Sequence, residues 1–302
     1  MIRPIDDDQL DDIDPIIDRM KEQTPLQDNF VEQIKTDARR DRVSILGYFS
    51  KDGSLLGVSF FGKISKRISF TFADGDFYIE KELVSSLFDR FKTEFSYMKT
   101  GGPWITDKME EHLLGLGFKE FRRAYKTMPK ADVETLEEPI LPEGMHFEVY
   151  SPEEKDEVAE LMFISNDGHV DQDVFPDFFG SKGACRRLID NIVVNRYGEY
   201  KESSSWILRD NDKTIGACFM TIRNGEAGYI PDIVIDPDYR RRGLGKAIQV
   251  HSMKRQIESE PSIIKMDLDV TLSNNARFLY DSLGFETVSE YTLYSWREKW
   301  NH

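Results

Sequence analysis

Local signals along this chain run through the same order twice, and that order constrains the fold more than any single motif. Each half opens with a short strand and an acidic amphipathic helix. These are 2–4 with 6–21, bent or restarted at Pro15, and 147–150 with 152–164, where Pro152 suits a first helical turn. A second helical region follows at 28–40 and at 185–195. Hairpins come next: 44–49 with 55–61 around Lys51-Asp52-Gly53, and 205–209 with 214–221 around Asp210-Asn211-Asp212. Each half later has a helix that stops at Leu116-Gly117-Phe118 or Leu283-Gly284-Phe285, where Gly suits the left-handed residue that ends a helix. Each half closes with a β segment, 118–128 and 285–297. The shared order points to a tandem duplication rather than a short-period solenoid. The polar stretch 131–145, with Glu137-Glu138-Pro139 and Leu141-Pro142-Glu143-Gly144, reads as a linker between domains 1–130 and 146–302.

Composition narrows the class. A length of 302 residues with 39% hydrophobic side chains suits two packed domains. No apolar run is long enough to span a bilayer, and the N-terminus has no apolar signal core, so no membrane partner is expected. Two cysteines, Cys185 and Cys218, give no disulfide framework and make a reducing cytoplasm the expected location. With five histidines besides, no cluster has zinc-ligand spacing, and no metal is expected. A formal charge of −15 disfavours nucleic acid as a partner and attracts cationic small molecules such as amines, though it also serves solubility alone.

Chemistry concentrates at one place. The segment 227–235 reads as a strand that ends in Ile233-Val234-Ile235, and Asp236-Pro237-Asp238 stops it. Then come Tyr239-Arg240-Arg241-Arg242-Gly243-Leu244-Gly245-Lys246 and a helical pattern over 247–258. A basic, glycine-bearing loop thus leads from a strand into a helix start, where free N–H groups and the helix dipole favour an anion. Gly243 and Gly245 let a phosphate approach the backbone closely. No Gly-Lys-Ser/Thr follows as in a P-loop, and the three spaced glycines of a dinucleotide fingerprint are missing.

The motif Arg240-x-x-Gly243-x-Gly245, after Ile235-x-Pro237-x-Tyr239, resembles the acetyl-CoA pyrophosphate loop of the GNAT acyltransferase superfamily. Downstream, a strand at 263–270 and a helix at 274–283 with Ala276, Leu279 and Tyr280 before Gly284-Phe285 are similar to the family's second motif. One departure is Ser273 where the family has Asn, with Asn274 and Asn275 adjoining. The resemblance covers about 147–300. Where the first half should carry its loop stands Ala73-Asp74-Gly75-Asp76-Phe77, whose carboxylates repel phosphate. That half reads as a degenerate, CoA-free copy that packs on the active domain and walls the acceptor site. The tandem plan also resembles mycothiol-synthase-like enzymes.

The resemblance implies an α/β (α+β) fold of two tandem GNAT-like domains, each a mixed, mostly antiparallel sheet flanked by helices. The sheet should splay where 227–235 meets 263–270. It implies acetyl-CoA as co-substrate, held by Ile233, Val234, Ile235, Arg240, Arg241, Arg242, Gly243, Leu244, Gly245, Lys246 and Asn274. It also implies direct attack of an amine on the thioester, with a backbone N–H at 233–235 on the carbonyl and Tyr280 protonating the leaving thiolate. The acceptor would be a small amine, an amino acid or a peptide N-terminus. Asp232 or Glu226 could take the amine's proton. The stretch 166–173 with Phe175, Phe178 and Phe179 is acidic, carries His169, and suits an acceptor pocket for a cationic amine; it suits a surface loop anchored by its phenylalanines equally well. Arg122-Arg123 and Arg186-Arg187 read as solvated faces. A homodimer is compatible with this plan. The rivals are a non-catalytic acyl-CoA sensor or scaffold, and a structural module acting through protein contacts.

Overall fold

The computed structural model describes residues 1–23 and 30–300. The chain divides into two units, one of Met1–Phe121 with the stretch that begins at Thr292, the other of Arg122–Tyr291. The first unit opens with β1 (Ile2–Pro4), a 3-10 turn over Asp7–Ile13, and α1 (Asp14–Gln23). The restart at Asp14 places Pro15 in a first helical turn, where its missing N–H costs nothing. After α2 (Phe30–Arg39) come β2 (Val43–Phe49), β3 (Leu55–Gly62), β4 (Arg67–Phe72), α3 (Phe77–Phe91), β5 (Tyr97–Gly101) and α4 (Asp107–Gly115). Positions 28 and 29 of the expected helix lie outside the described residues. The sheet order is β1-β2-β3-β4 antiparallel, then β5 parallel to β4, then residues 293–297 antiparallel to β5. α3 turns Ile79, Leu83, Val84, Leu87, Phe88 and Phe91 inward at helical spacing onto the face of β3 that carries Gly57 and Phe61, with Phe91 stacked on Phe61 at 4.1 Å.

The second unit begins within β6 (Lys119–Pro129) and continues through α5 (Lys130–Thr135), β7 (Met145–Val149), α6 (Lys155–Asn166), α7 (Val170–Val174), α8 (Pro176–Phe179) and α9 (Lys182–Val193). Then come β8 (Glu199–Tyr200), β9 (Trp206–Asp210), β10 (Lys213–Arg223), β11 (Ala227–Ile235), α10 (Leu244–Ser259), β12 (Lys265–Thr271), α11 (Ala276–Leu283) and β13 (Glu286–Arg297). Its order repeats the first unit: β7-β9-β10-β11 antiparallel, β12 parallel to β11, and β6 antiparallel to β12. Both units are thus mixed, mostly antiparallel sheets flanked by helices. Gly117 and Gly284 both take the left-handed conformation, and the amides of Phe118 and Phe285 reach back to the carbonyls of Leu113 and Tyr280, so the two helix stops match atom for atom.

Two expectations differ from this architecture. The units do not divide at 130 and 146, and 131–145 is not a free linker. Val133 of α5 is buried, and Leu136 and Leu141 pack on the same core as α10. The closing strands also change partners: the first unit is closed by residues 293–297 and the second by Arg123–Pro129. Sequence order reveals that a strand follows each Leu-Gly-Phe stop but carries no information on which edge it joins.

The expected splay is present. β11 and β12 pair only over Ala227–Tyr229 with Lys265–Asp267. Beyond that point β11 stays on β10 while β12 stays on β6, so a gap opens toward the C-terminal ends of both strands. A register shift between the two strands, with Ile230 and Pro231 of β11 against Met220 alone of β10, bends the ladder where the gap begins.

Candidate active site

The loop after β11 is fastened at several points. The Asp236 carboxylate accepts the Asp238 N–H at 2.9 Å, and the Tyr239 hydroxyl donates to Asp210 at 2.9 Å. Arg241 (φ 61°) and Gly243 (φ 80°) then turn the chain through left-handed conformations into α10, whose first residue Leu244 is buried. The helix starts three positions before the expected 247, which puts Gly245 and Lys246 in its first turn. Gly243 is the N-cap and offers no side-chain acceptor. Among the described residues nothing accepts the N–H groups of Leu244, Gly245 or Lys246. A Cβ built on Gly245 would lie 3.5 Å from Leu279 and 3.7 Å from Ile235, so this turn sits beside both the end of β11 and the helix that carries Tyr280.

The matching helix start in the first unit is chemically closed. Asp76 caps α3, accepting the N–H groups of Tyr78 at 3.0 Å and Ile79 at 3.3 Å. The Ala73 N–H is taken by Glu80. Donors that an anion would need are occupied by the protein's own carboxylates there and free in the second unit.

The three arginines divide their tasks. Arg240 folds back, donating to the Ser165 carbonyl at 2.6 Å and the Ile235 carbonyl at 3.3 Å, and Arg242 donates to the Asp238 carbonyl at 2.9 Å. Arg241 and Lys246 are exposed and have no side-chain partner among the described residues. On β11, the Asp236 N–H bonds the Ile215 carbonyl of β10. By strand alternation Val234 also faces β10, while the backbone groups of Ile233 and Ile235 turn to the gap. Val234 is buried in the core between β10, α6 and α9.

Asp232 lies opposite Phe219 and shares its face, the side covered by α6 and α9. Its Oδ2 is buried with no partner among the described residues. Burial and the Asp171 charge push its carboxyl up to about 7, against a lesser opposing effect of the Ile233 N–H. Tyr280 is only 7% exposed, and its hydroxyl makes no hydrogen bond among the described residues. Burial, then the charges of Asp171 and Asp232, hold the phenol far above its ordinary value, so it keeps its proton. Asp171 and Asp232 thus both act electrostatically on this phenol.

Asp171 comes from α7, in the acidic loop. It accepts the Thr271 hydroxyl at 2.6 Å and the Asn274 amide at 2.6 Å, fixing that loop to the end of β12 and the start of α11. Asn274 also accepts the Ala276 N–H at 2.7 Å, so both ends of its amide are engaged within the protein. His169 caps α7. Phe175 and Phe178 stack at 5.5 Å and are half-buried, whereas Phe179 is a core residue.

Other candidates do not gather here. Glu226 is exposed in the turn at the far, paired end of β11, about six residues or 20 Å from Asp232. Both cysteines are free and buried. Arg122 is exposed, but Arg123 is 7% exposed and is no solvated-face residue. Strand alternation was the available signal: β6 turns Arg123, Tyr125 and Thr127 to one face, against Thr271, Asp269 and Asp267 of β12. Among the described residues no group of three or more His, Cys, Asp or Glu side chains could hold a metal, and no helix is long and apolar enough to cross a membrane.

Comparison with known proteins agrees with this layout. The model of the acetyltransferase (GNAT) domain matches residues 201–287, which include β10, β11, the loop, α10, β12 and α11. No curated protein matches the sequence. Among solved structures, a tandem GNAT protein from the clavulanic acid biosynthesis pathway is similar over 100% of this chain and 99% of its own, at 11% identity and a TM-score of 0.58. A GCN5-related N-acetyltransferase from Sphaerobacter thermophilus is similar over 98% and 95%, at 13% identity and a TM-score of 0.56. A glucosamine N-acetyltransferase region of a fungal multi-domain β-N-acetylglucosaminidase is similar over 98% of this chain and 38% of its own, at 13% identity and a TM-score of 0.61. Residues 201–287 thus match the acetyltransferase (GNAT) domain model, and the described residues have the fold of the tandem GNAT structures.

Proposed function

We propose that the second unit binds acetyl-CoA at the start of α10 and transfers the acetyl group to an amine. The observation that carries this reading is the uncapped first turn of α10, with three N–H donors unmet beside Ile235 at the end of β11 and Leu279, the neighbour of Tyr280. Those N–H groups, with Arg241 and Lys246, would receive the pyrophosphate. Arg240 and Arg242 would hold the loop in shape. Val234 would contribute core packing, and the Ile233 or Ile235 N–H would stabilise the charge that develops on the thioester carbonyl. Asn274 would position Asp171 and α11 rather than touch the cofactor.

Asp232 would accept the proton of the incoming ammonium, a task suited to a carboxyl poised at about 7. The amine nitrogen bonds to the acyl carbon, the C–S bond breaks, Tyr280 gives its proton to the departing sulfur, and the second proton lost by the acylated nitrogen restores the Tyr280 phenol. A thiol-release assay over a panel of amines tests this. Release with at least one amine, lost in Asp232→Asn, is expected; acetyl-CoA binding without release for any amine would contradict it.

A further inference from the structure

Arg123 is a buried cation without a carboxylate partner. A guanidinium has five N–H donors. Two of Arg123's are used, one to the Tyr291 hydroxyl at 3.0 Å and one to the Thr271 hydroxyl at 2.9 Å. Neither bond is ionic. Asp171 reaches Arg123 only through the Thr271 hydroxyl, and Asp269 only through Tyr291, whose hydroxyl donates to it at 2.7 Å. No acceptor for Nη2 is found among the described residues. The Phe175 ring lies 4.6 Å from the guanidinium carbon and covers one face. A buried charge held this way is costly unless an anion completes it.

Its place matters as much as its lack of a partner. Arg123 projects on the same face of the sheet as Thr271, beside the loop that brings in Asp171. Its charge acts on the Tyr280 phenol, opposite in sign to that of Asp171 and Asp232. We propose that Arg123 binds a carboxylate of the acceptor, so that the substrate is an amino acid whose amine faces Asp232. The planar fork of Arg matches a carboxylate in two parallel hydrogen bonds. Asp171 and Asp269, each one hydroxyl away, would repel a dianionic phosphate more strongly than a monoanion. This assignment rests on the amine-acyltransfer reading and deepens it.

The test is a thiol-release assay with acetyl-CoA and matched acceptors: amino acids, their carboxamides and the corresponding decarboxylated amines. For the amino acids that turn over, the expected kcat/KM is at least tenfold above that of the amide or amine. In Arg123→Gln that gap should close through a rise in the amino acid's KM, and Arg123→Lys should restore part of it. Amides and simple amines turning over as well as amino acids would overturn the carboxylate assignment and leave amine acylation standing. An equal loss for acids and amides in Arg123→Gln would make the residue structural and overturn it too. Bound acetyl-CoA with no release from any acceptor would end both readings. The wild-type comparison of acid with amide needs no variant, so a folding defect in Arg123→Gln does not decide the outcome.

Discussion

A buried carboxylate oxygen without a partner is costly, and Asp232, opposite Phe219, carries one at Oδ2. Its folded value of about 7 lies above the ordinary 3.8. Between those limits the folded protein keeps a proton that the unfolded chain releases, so stability falls as pH rises from 4 to 7. Fully ionised, the group costs roughly 2–4 kcal/mol. Asp232→Asn should therefore melt higher than the parent at pH 8 and close to it at pH 4, which thermal unfolding at the two pH values checks. The same substitution should lower kcat/KM by about 100-fold or more and remove the acidic limb near pH 7 from the rate profile. Tyr280→Phe should reduce kcat about 10- to 100-fold while leaving the dissociation constant of acetyl-CoA unchanged. Little of this residue-level chemistry was legible beforehand. The position of Asp232 on a strand was readable, but its high value depends first on burial and then on Asp171, brought in by a loop far earlier in the chain. Arg123 was hidden because a dipeptide of like charges looks like a surface, and only the face assignment of β6 separates it from Arg122.

At the scale of elements, two helix starts at matching places in the two units differ in what meets their first N–H groups. Asp76 closes α3, and Gly243 leaves α10 open. Asp76→Ala should destabilise the protein by about 1 kcal/mol through the lost cap. It should leave acetyl-CoA affinity unchanged, as titrations on the folded variant would report. Gly245 has room for a Cβ at ordinary contact distance, so Gly245→Asp should fold with a melting temperature near the parent's. Its effect then falls on the ligand, by placing a negative charge where the pyrophosphate would lie. The loop and α10 were readable because Pro237, the basic run and Gly243 punctuate the sequence sharply. The start of α3 carries a signal of its own, the turn Asp74-Gly75 and the cap Asp76, but without the proline and basic run that set off α10. Helix α5 reads as linker in the sequence because only Val133 marks its buried side.

Across the whole molecule, the same strand order occurs in both units, and the repeated Leu-Gly-Phe stops made that duplication visible in the sequence. Which closing strand joins which unit was not visible, because 119–129 and 286–297 have similar β character and pairing is decided by long-range register. The units differ at the matching helix start, capped in the first and open in the second. The account therefore predicts one acetyl-CoA site per chain, formed by residues Arg240–Lys246. Isothermal titration calorimetry of acetyl-CoA against the full chain and its Gly245→Asp variant tests this most directly. The expected result is a stoichiometry of one for the parent and no measurable binding for the variant. Absence of binding to the parent, two sites per chain, or affinity that survives Gly245→Asp would contradict it.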